Sequence, residues 1–109
     1  PRIVGVGLAN ELITTGRRIS AHEANDIGLV NHVVKQDKLI QKCKELSNEI
    51  LKNGPNAIAK SLQCIRYGIG RTLDEGLSFE VEAFSSLFDK PESKEGLLAF
   101  VEKRKANFR

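Results

Sequence analysis

Reactive charge is densest in the last stretch of the chain, Glu102-Lys103-Arg104-Lys105-Ala106-Asn107-Phe108-Arg109. A lysine ammonium is a mobile point charge that suits a phosphate, and a nearby ring such as Phe100 can cover the face of an adenine. Phe100 and Lys103 together therefore read as an anion site with an aromatic platform. A blander reading stands beside it: cations near a helix C-terminus are favoured by the helix dipole and sit in water. Other groups suggest less. His22 and His32 have no serine or cysteine nucleophile in a suitable context, so neither is expected to be catalytic. The glutamates, among them Glu11, Glu23, Glu75 and Glu95, fall on polar helix faces or near helix starts, and nothing in their placement predicts a carboxylate pair with a raised pKa. Gly5-Val6-Gly7 lacks the third glycine and the preceding strand of a phosphate loop. Cys43 and Cys64 lie on apolar helix faces and are expected to be buried, reduced thiols. No CxxC or Cys/His cluster suggests a metal.

Six helices and one short extended segment would have to position these groups. Val6, Ala9, Leu12 and Ile13 give one apolar face, with Gly16 as its stop. Ser20-Ala21-His22-Glu23 has the form of a capping box and opens a short helix that Gly28 closes. Residues 29–34 are β-branched and roughly alternating, which suggests a strand or extended segment. Asp37 is placed to cap a third helix running to about Lys52. Gly54 reads as its stop, and Pro55 as the first residue of a fourth helix striped by Ile58, Leu62, Ile65 and Ile69. Thr72 or Asp74 starts a fifth, with Leu73, Leu77, Val81, Phe84 and Phe88 on one face. Ser93 is expected to cap a sixth, with Leu97, Phe100 and Val101. These late stripes fit either an internal core or surfaces that pack against something else.

The 109 residues suit one domain or a piece of one. With 40% apolar and 28% charged residues, the composition is that of a folded protein rather than a disordered one. The net charge of +3 is mild and does not imply nucleic acid. No apolar run is long enough for a transmembrane helix, and no signal-peptide pattern is present. The chain contains no methionine, and its opening lacks a helix-start signal. It reads as the tail of an element begun earlier. A small basic helical binding module is a competing reading. A steep fall in duplex-DNA affinity with salt would mark it.

Two stretches resemble a known family. Residues 12–24, continuing through Ile27-Gly28-Leu29-Val30-Asn31, are similar to the TGxxI, SAxEA and GLVN run of the enoyl-CoA hydratase/isomerase (crotonase) family. Glu95-Gly96-Leu97-Leu98-Ala99-Phe100-Val101-Glu102-Lys103-Arg104, with Phe108, resembles the EGxxAFxEKRxxxF segment of its hydratase branch. The resemblance covers essentially the whole chain. It implies a mainly α fold, the helical C-terminal region of a crotonase-like ββα spiral, with residues 1–109 as one part and the N-terminal catalytic half absent. It further implies reversible addition of water to 2-enoyl-CoA thioesters in fatty acid or butyryl-CoA metabolism. Two backbone N–H groups would hold the thioester oxygen, worth about 3–4 kcal/mol each, and two glutamates would activate water. The resemblance places those groups outside this chain, so no catalytic residue is assigned. Phe100 and Lys103 match positions that approach the adenine and phosphates of coenzyme A. The implied partners are the acyl-CoA substrate, the missing half and further copies in a trimer or hexamer. A cytoplasmic location is expected, with no cofactor, metal, nucleic acid or membrane. Another reaction of the same family, such as enoyl-CoA isomerisation, is the nearest alternative.

Overall fold

The computed structural model describes residues 1–108, and the helices fall close to where the apolar spacing predicts them. They are α1 (Val6–Thr15), α2 (Ala21–Asp26), α3 (Leu39–Leu51), α4 (Pro55–Gly68), α5 (Leu73–Ser85) and α6 (Pro91–Val101), with a single 3-10 turn at Gln36–Lys38. The chain divides into two compact units, residues 1–43 and 44–109.

In the first unit, Gly16 ends α1 in the left-handed conformation, φ 62°, and its amide donates to the Leu12 carbonyl at 3.1 Å. Glycine reaches this conformation without the steric penalty a Cβ brings. Ser20 caps α2, its hydroxyl accepting from the Glu23 amide at 3.1 Å. Only half of the expected capping box carries over in the bonds described. The Glu23 carboxylate instead meets Arg17 at 2.7 Å, and Arg17 also reaches Glu11 at 3.3 Å. These two carboxylates, Glu23 first, raise the Arg17 pKa.

The extended segment expected over residues 29–34 forms no strand, and there is none among the described residues. Leu29 and Val30 are drawn into the end of α2 instead, both donating to the Ala24 carbonyl, at 2.8 and 3.2 Å. Alternation alone does not make a strand when no second strand lies alongside to complete a ladder. Asp37 lies within the 3-10 turn rather than at a helix N-cap.

In the second unit, α4 and α5 pack as a hairpin. Tyr67 stacks on Phe79, ring centroids 4.2 Å apart and planes 15° from parallel, and the Arg71 guanidinium lies 4.7 Å from the Tyr67 centroid. Thr72 opens α5 with a complete capping box: it accepts from the Glu75 amide, while Glu75 accepts from the Thr72 amide at 2.9 Å. Those bonds hold the Glu75 carboxyl below its ordinary pKa.

The start of α4 is capped from a distance. Its N-cap is Gly54, which has no side chain to offer, and its N1 is Pro55. The Glu92 carboxylate, from the first turn of α6, takes over. It accepts from the Asn56 amide at 3.1 Å, the Ala57 amide at 3.2 Å and the Asn56 side-chain amide at 2.7 Å. Gly54 is therefore no left-handed stop: its φ is −64°. Its role is space, because a Cβ there would lie 1.9 Å from Glu92 Oε1. Ser93, expected as the cap of α6, sits inside its first turn and donates to the Leu87 carbonyl; the N-cap is Lys90, with Pro91 following.

Very little apolar side chain is buried. The buried hydrophobic residues among those described are Ala9, Ala24, Ala83 and Ala99. Ile65, Leu73, Val81, Phe84, Leu97 and Val101 remain more than half exposed. The chain exposes 9060 Å² at 12.1 kDa. The stripes thus form helices without closing a core among themselves. The thiols follow suit: Cys43 is exposed and Cys64 half-buried, contrary to the expectation of buried cysteines.

Glu92→Ala should cost about 1–2 kcal/mol in a denaturant melt of the protein containing this region, the range of a lost helix cap. Gly54→Ala should cost a similar amount alone and almost nothing in the Glu92→Ala background, since both remove one interaction.

Candidate functional site

The sequence points to the end of α6, and the structure gives that end a defined geometry. Glu102 is the C-cap. The Lys103 amide donates to the Phe100 carbonyl at 3.2 Å, and the Arg104 amide to the Ala99 carbonyl at 3.0 Å. This pair of bonds is the Schellman arrangement, which needs a left-handed residue just past the cap. Here that residue is Lys103, with φ 55°, the one positive-φ non-glycine residue among those described. A side chain in this conformation costs roughly 1–2 kcal/mol relative to ordinary backbone.

Electrostatics hold the turn. Arg104 grips Glu95 with two nearly parallel bonds, Nη1–Oε1 at 2.6 Å and Nη2–Oε2 at 2.9 Å. Its Nε donates to Glu102 at 2.6 Å. The tail then returns, with the Asn107 amide donating to Glu95 Oε1 at 2.7 Å. Bidentate guanidinium–carboxylate pairs are the most directional of the charged hydrogen bonds. Arg104, then the Asn107 amide, lowers the Glu95 pKa to about 2, and Glu95 with Glu102 raises that of Arg104. The Phe108 ring lies against Gly96, 3.6 Å from where a Cβ would stand.

Both predicted site residues are presented outward. Phe100 is 84% exposed, and Lys103 is exposed on the turn that follows. Arg109, the last cation of the run, lies outside the described residues. Glu95 and Arg104 were not singled out as site residues, although their spacing in the EGxxAFxEKR motif carried the signal. His22 and His32 are exposed, at opposite ends of the α2–turn segment, with no cluster able to hold a metal among the described residues.

A second concave feature lies between α4 and α5. This cleft of about 620 Å³ is lined by Cys64, Ile65, Leu73, Leu77, Phe84 and Leu87, together with Lys60, Arg71 and Glu80. It is mostly apolar and holds no paired acid and base, so it suits packing better than chemistry. No helix of the described residues is long and apolar enough to cross a membrane.

Six helices with exposed apolar stripes, the last closed by a basic, aromatic-flanked turn, define a helical protein. The chain belongs to the enoyl-CoA hydratase/isomerase family, whose pattern it matches over residues 1–109. It is 44% identical over 104 residues to the short-chain-enoyl-CoA hydratase of Clostridium acetobutylicum, covering 95% of this chain and 40% of that protein. It is 42% identical over 108 residues to the crotonyl-CoA hydratase of Syntrophomonas wolfei, covering 99% and 42%. The crystal structure of an enoyl-CoA hydratase from Bacillus anthracis superposes with a TM-score of 0.94 at 44% identity, over 99% of this chain and 42% of that one. The chain thus spans about two-fifths of the length of these relatives.

The comparison corrects the expected position. The match is to the N-terminal part of the relatives, not the C-terminal region that the fold class assumed. Caps, glycine stops and stripe spacings are local features. They identify the helices of a family without fixing where in a longer chain those helices fall.

Two outcomes test the turn. Lys103→Gly should raise stability by about 0.5–1 kcal/mol in urea, because glycine adopts this conformation freely, whereas Lys103→Ala should not. Glu95 is ionised in the folded state down to about pH 2, against an ordinary value of 4.5. Its folded pKa is lowered, so its contribution is complete above pH 4.5 and is lost as pH falls toward 2. Acid unfolding should show that limb, and Glu95→Gln should flatten it.

Proposed function

We propose that this chain is the coenzyme-A-contacting and assembly part of an enoyl-CoA hydratase, a lyase that reversibly adds water to 2-enoyl-CoA thioesters. The observation that carries the reading is the pairing of family membership with the outward, electrostatically fixed turn bearing Phe100 and Lys103. A coenzyme A ester presents an adenine ring and several phosphates. An exposed phenyl ring supplies a stacking face and an ammonium supplies a point charge, with the backbone between them held rigid. Binding energy collected at this remote end would serve to anchor the thioester while the acyl group reacts elsewhere.

The chemistry itself is assigned to the part of the parent enzyme that this chain does not span. Glu75, Glu92 and Glu95 are engaged in capping or ion pairing. The exposed stripes of α4, α5 and α6 fit burial against the rest of the enzyme and against further copies, and a homo-oligomer, trimer or hexamer, is the assembly proposed. We place the enzyme in the cytoplasm, consistent with two free thiols. Isomerisation of an enoyl-CoA is the second reading, supported by the breadth of the family, which includes isomerases by name.

Hydration of crotonyl-CoA should be absent from the isolated 109-residue polypeptide and present in the full-length enzyme. Turnover by the isolated polypeptide at the full-length rate would sink the division of labour. In the full-length enzyme Lys103→Ala should weaken the ester by about 1–2 kcal/mol, the scale of a partly exposed charge-assisted bond, with the chemical step nearly unchanged. A large fall in turnover at unchanged affinity would contradict a binding role.

A further inference from the structure

A lysine is an unfavourable choice for the left-handed position that closes α6. Glycine fills such positions without strain, and a non-glycine residue persists there only where its surroundings over-determine the backbone. Lys103 is so held on both sides. Its own amide and that of Arg104 are bonded back to Phe100 and Ala99. The Arg104 side chain is locked onto Glu95, nine residues behind it, and Glu95 also accepts the Asn107 amide from the returning tail. Glu95 is thus bonded to the residue after Lys103 and to one four positions on, and the turn has little freedom to open.

We propose that Glu95 and Arg104 are positioning residues for the nucleotide end of the substrate: their bidentate pair, tied to the tail through Asn107, fixes the left-handed turn that presents Lys103 beyond Phe100. The inference rests on the reading that Phe100 and Lys103 meet coenzyme A. Neither Glu95 nor Arg104 touches substrate in this account. The Arg104 guanidinium is satisfied by Glu95, Glu102 and the Lys105 carbonyl, so its charge is spent within the protein. Lys103 is in none of the ion pairs described, and its ammonium is left to a phosphate. Two adjacent cations thereby take different work, one structural and one for the ligand. A guanidinium suits the first because its planar fork matches a carboxylate, and an ammonium suits the second as a compact charge.

The test uses the full-length enzyme with crotonyl-CoA and with crotonyl-pantetheine, which keeps the thioester and lacks the adenine nucleotide. Glu95→Gln and Arg104→Lys should each raise KM for crotonyl-CoA by about fivefold to tenfold, leaving kcat within about twofold. Arg104→Lys keeps the charge and loses only the fork, so it isolates geometry from net charge. Neither variant should change the kinetics on crotonyl-pantetheine. Combined with Lys103→Ala, Glu95→Gln should add nothing further, because both act through one ammonium. Equal losses on both substrates, or additive losses in the double variant, would overturn the proposal in favour of a purely structural pair. If Lys103→Ala raises KM for crotonyl-CoA and Glu95→Gln does not, the positioning role alone falls. If Lys103→Ala leaves KM unchanged, the coenzyme A reading falls, and this inference with it.

Discussion

Amphipathic helices hold together only if their apolar faces find something to cover them. In this chain the faces are well formed and largely uncovered. The buried hydrophobic side chains among the described residues are alanines, the smallest available, while Phe84, Phe88, Leu97 and Val101 stay more than half exposed. An alanine at a helix contact marks close approach of backbones, but contributes little transfer energy. These exposed apolar faces are the dominant physical fact about the chain.

Where the core is thin, charge and capping set the geometry. Glu92 caps the start of α4 by accepting from Asn56, 36 residues earlier, Glu75 closes a box with Thr72, and Glu95 ties the end of α6 to its tail. Each carboxylate meets backbone N–H groups or a guanidinium in a fixed direction, which apolar contact does not provide. Exposed ion pairs add little to stability, commonly under about 1 kcal/mol. Their contribution here is orientation: they decide which way a turn faces and which cation points to solvent.

The elements were largely legible because their signals are local. Gly16 and Gly28 as stops, Ser20 and Thr72 as caps, and Pro55 at the first position of α4 are each read from neighbours within a few residues. What was not legible depends on distant partners. Gly54 looked like a stop and is instead a space for Glu92, a relation 38 positions apart that no spacing rule contains. Residues 29–34 alternated like a strand, but pairing is a property of two segments and not of one. Cys43 reads as interior, and the late stripes are left open between a core and an outer contact, because periodicity finds an apolar face without saying what covers it. Within the site, Phe100 and Lys103 were visible as types suited to a nucleotide. The left-handed backbone of Lys103 was not, because lysine is among the last residues a left-handed turn would lead one to expect.

The heat capacity of unfolding measures the central claim most directly, because it scales with the apolar surface that folding hides. Calorimetry of the isolated 109-residue polypeptide should give a broad transition with a heat-capacity change well below the roughly 1.4 kcal/mol/K of a self-contained domain of this length. A sharp two-state transition carrying the full value would contradict the account, since the chain would then bury a core of its own and its helix faces would need no other partner.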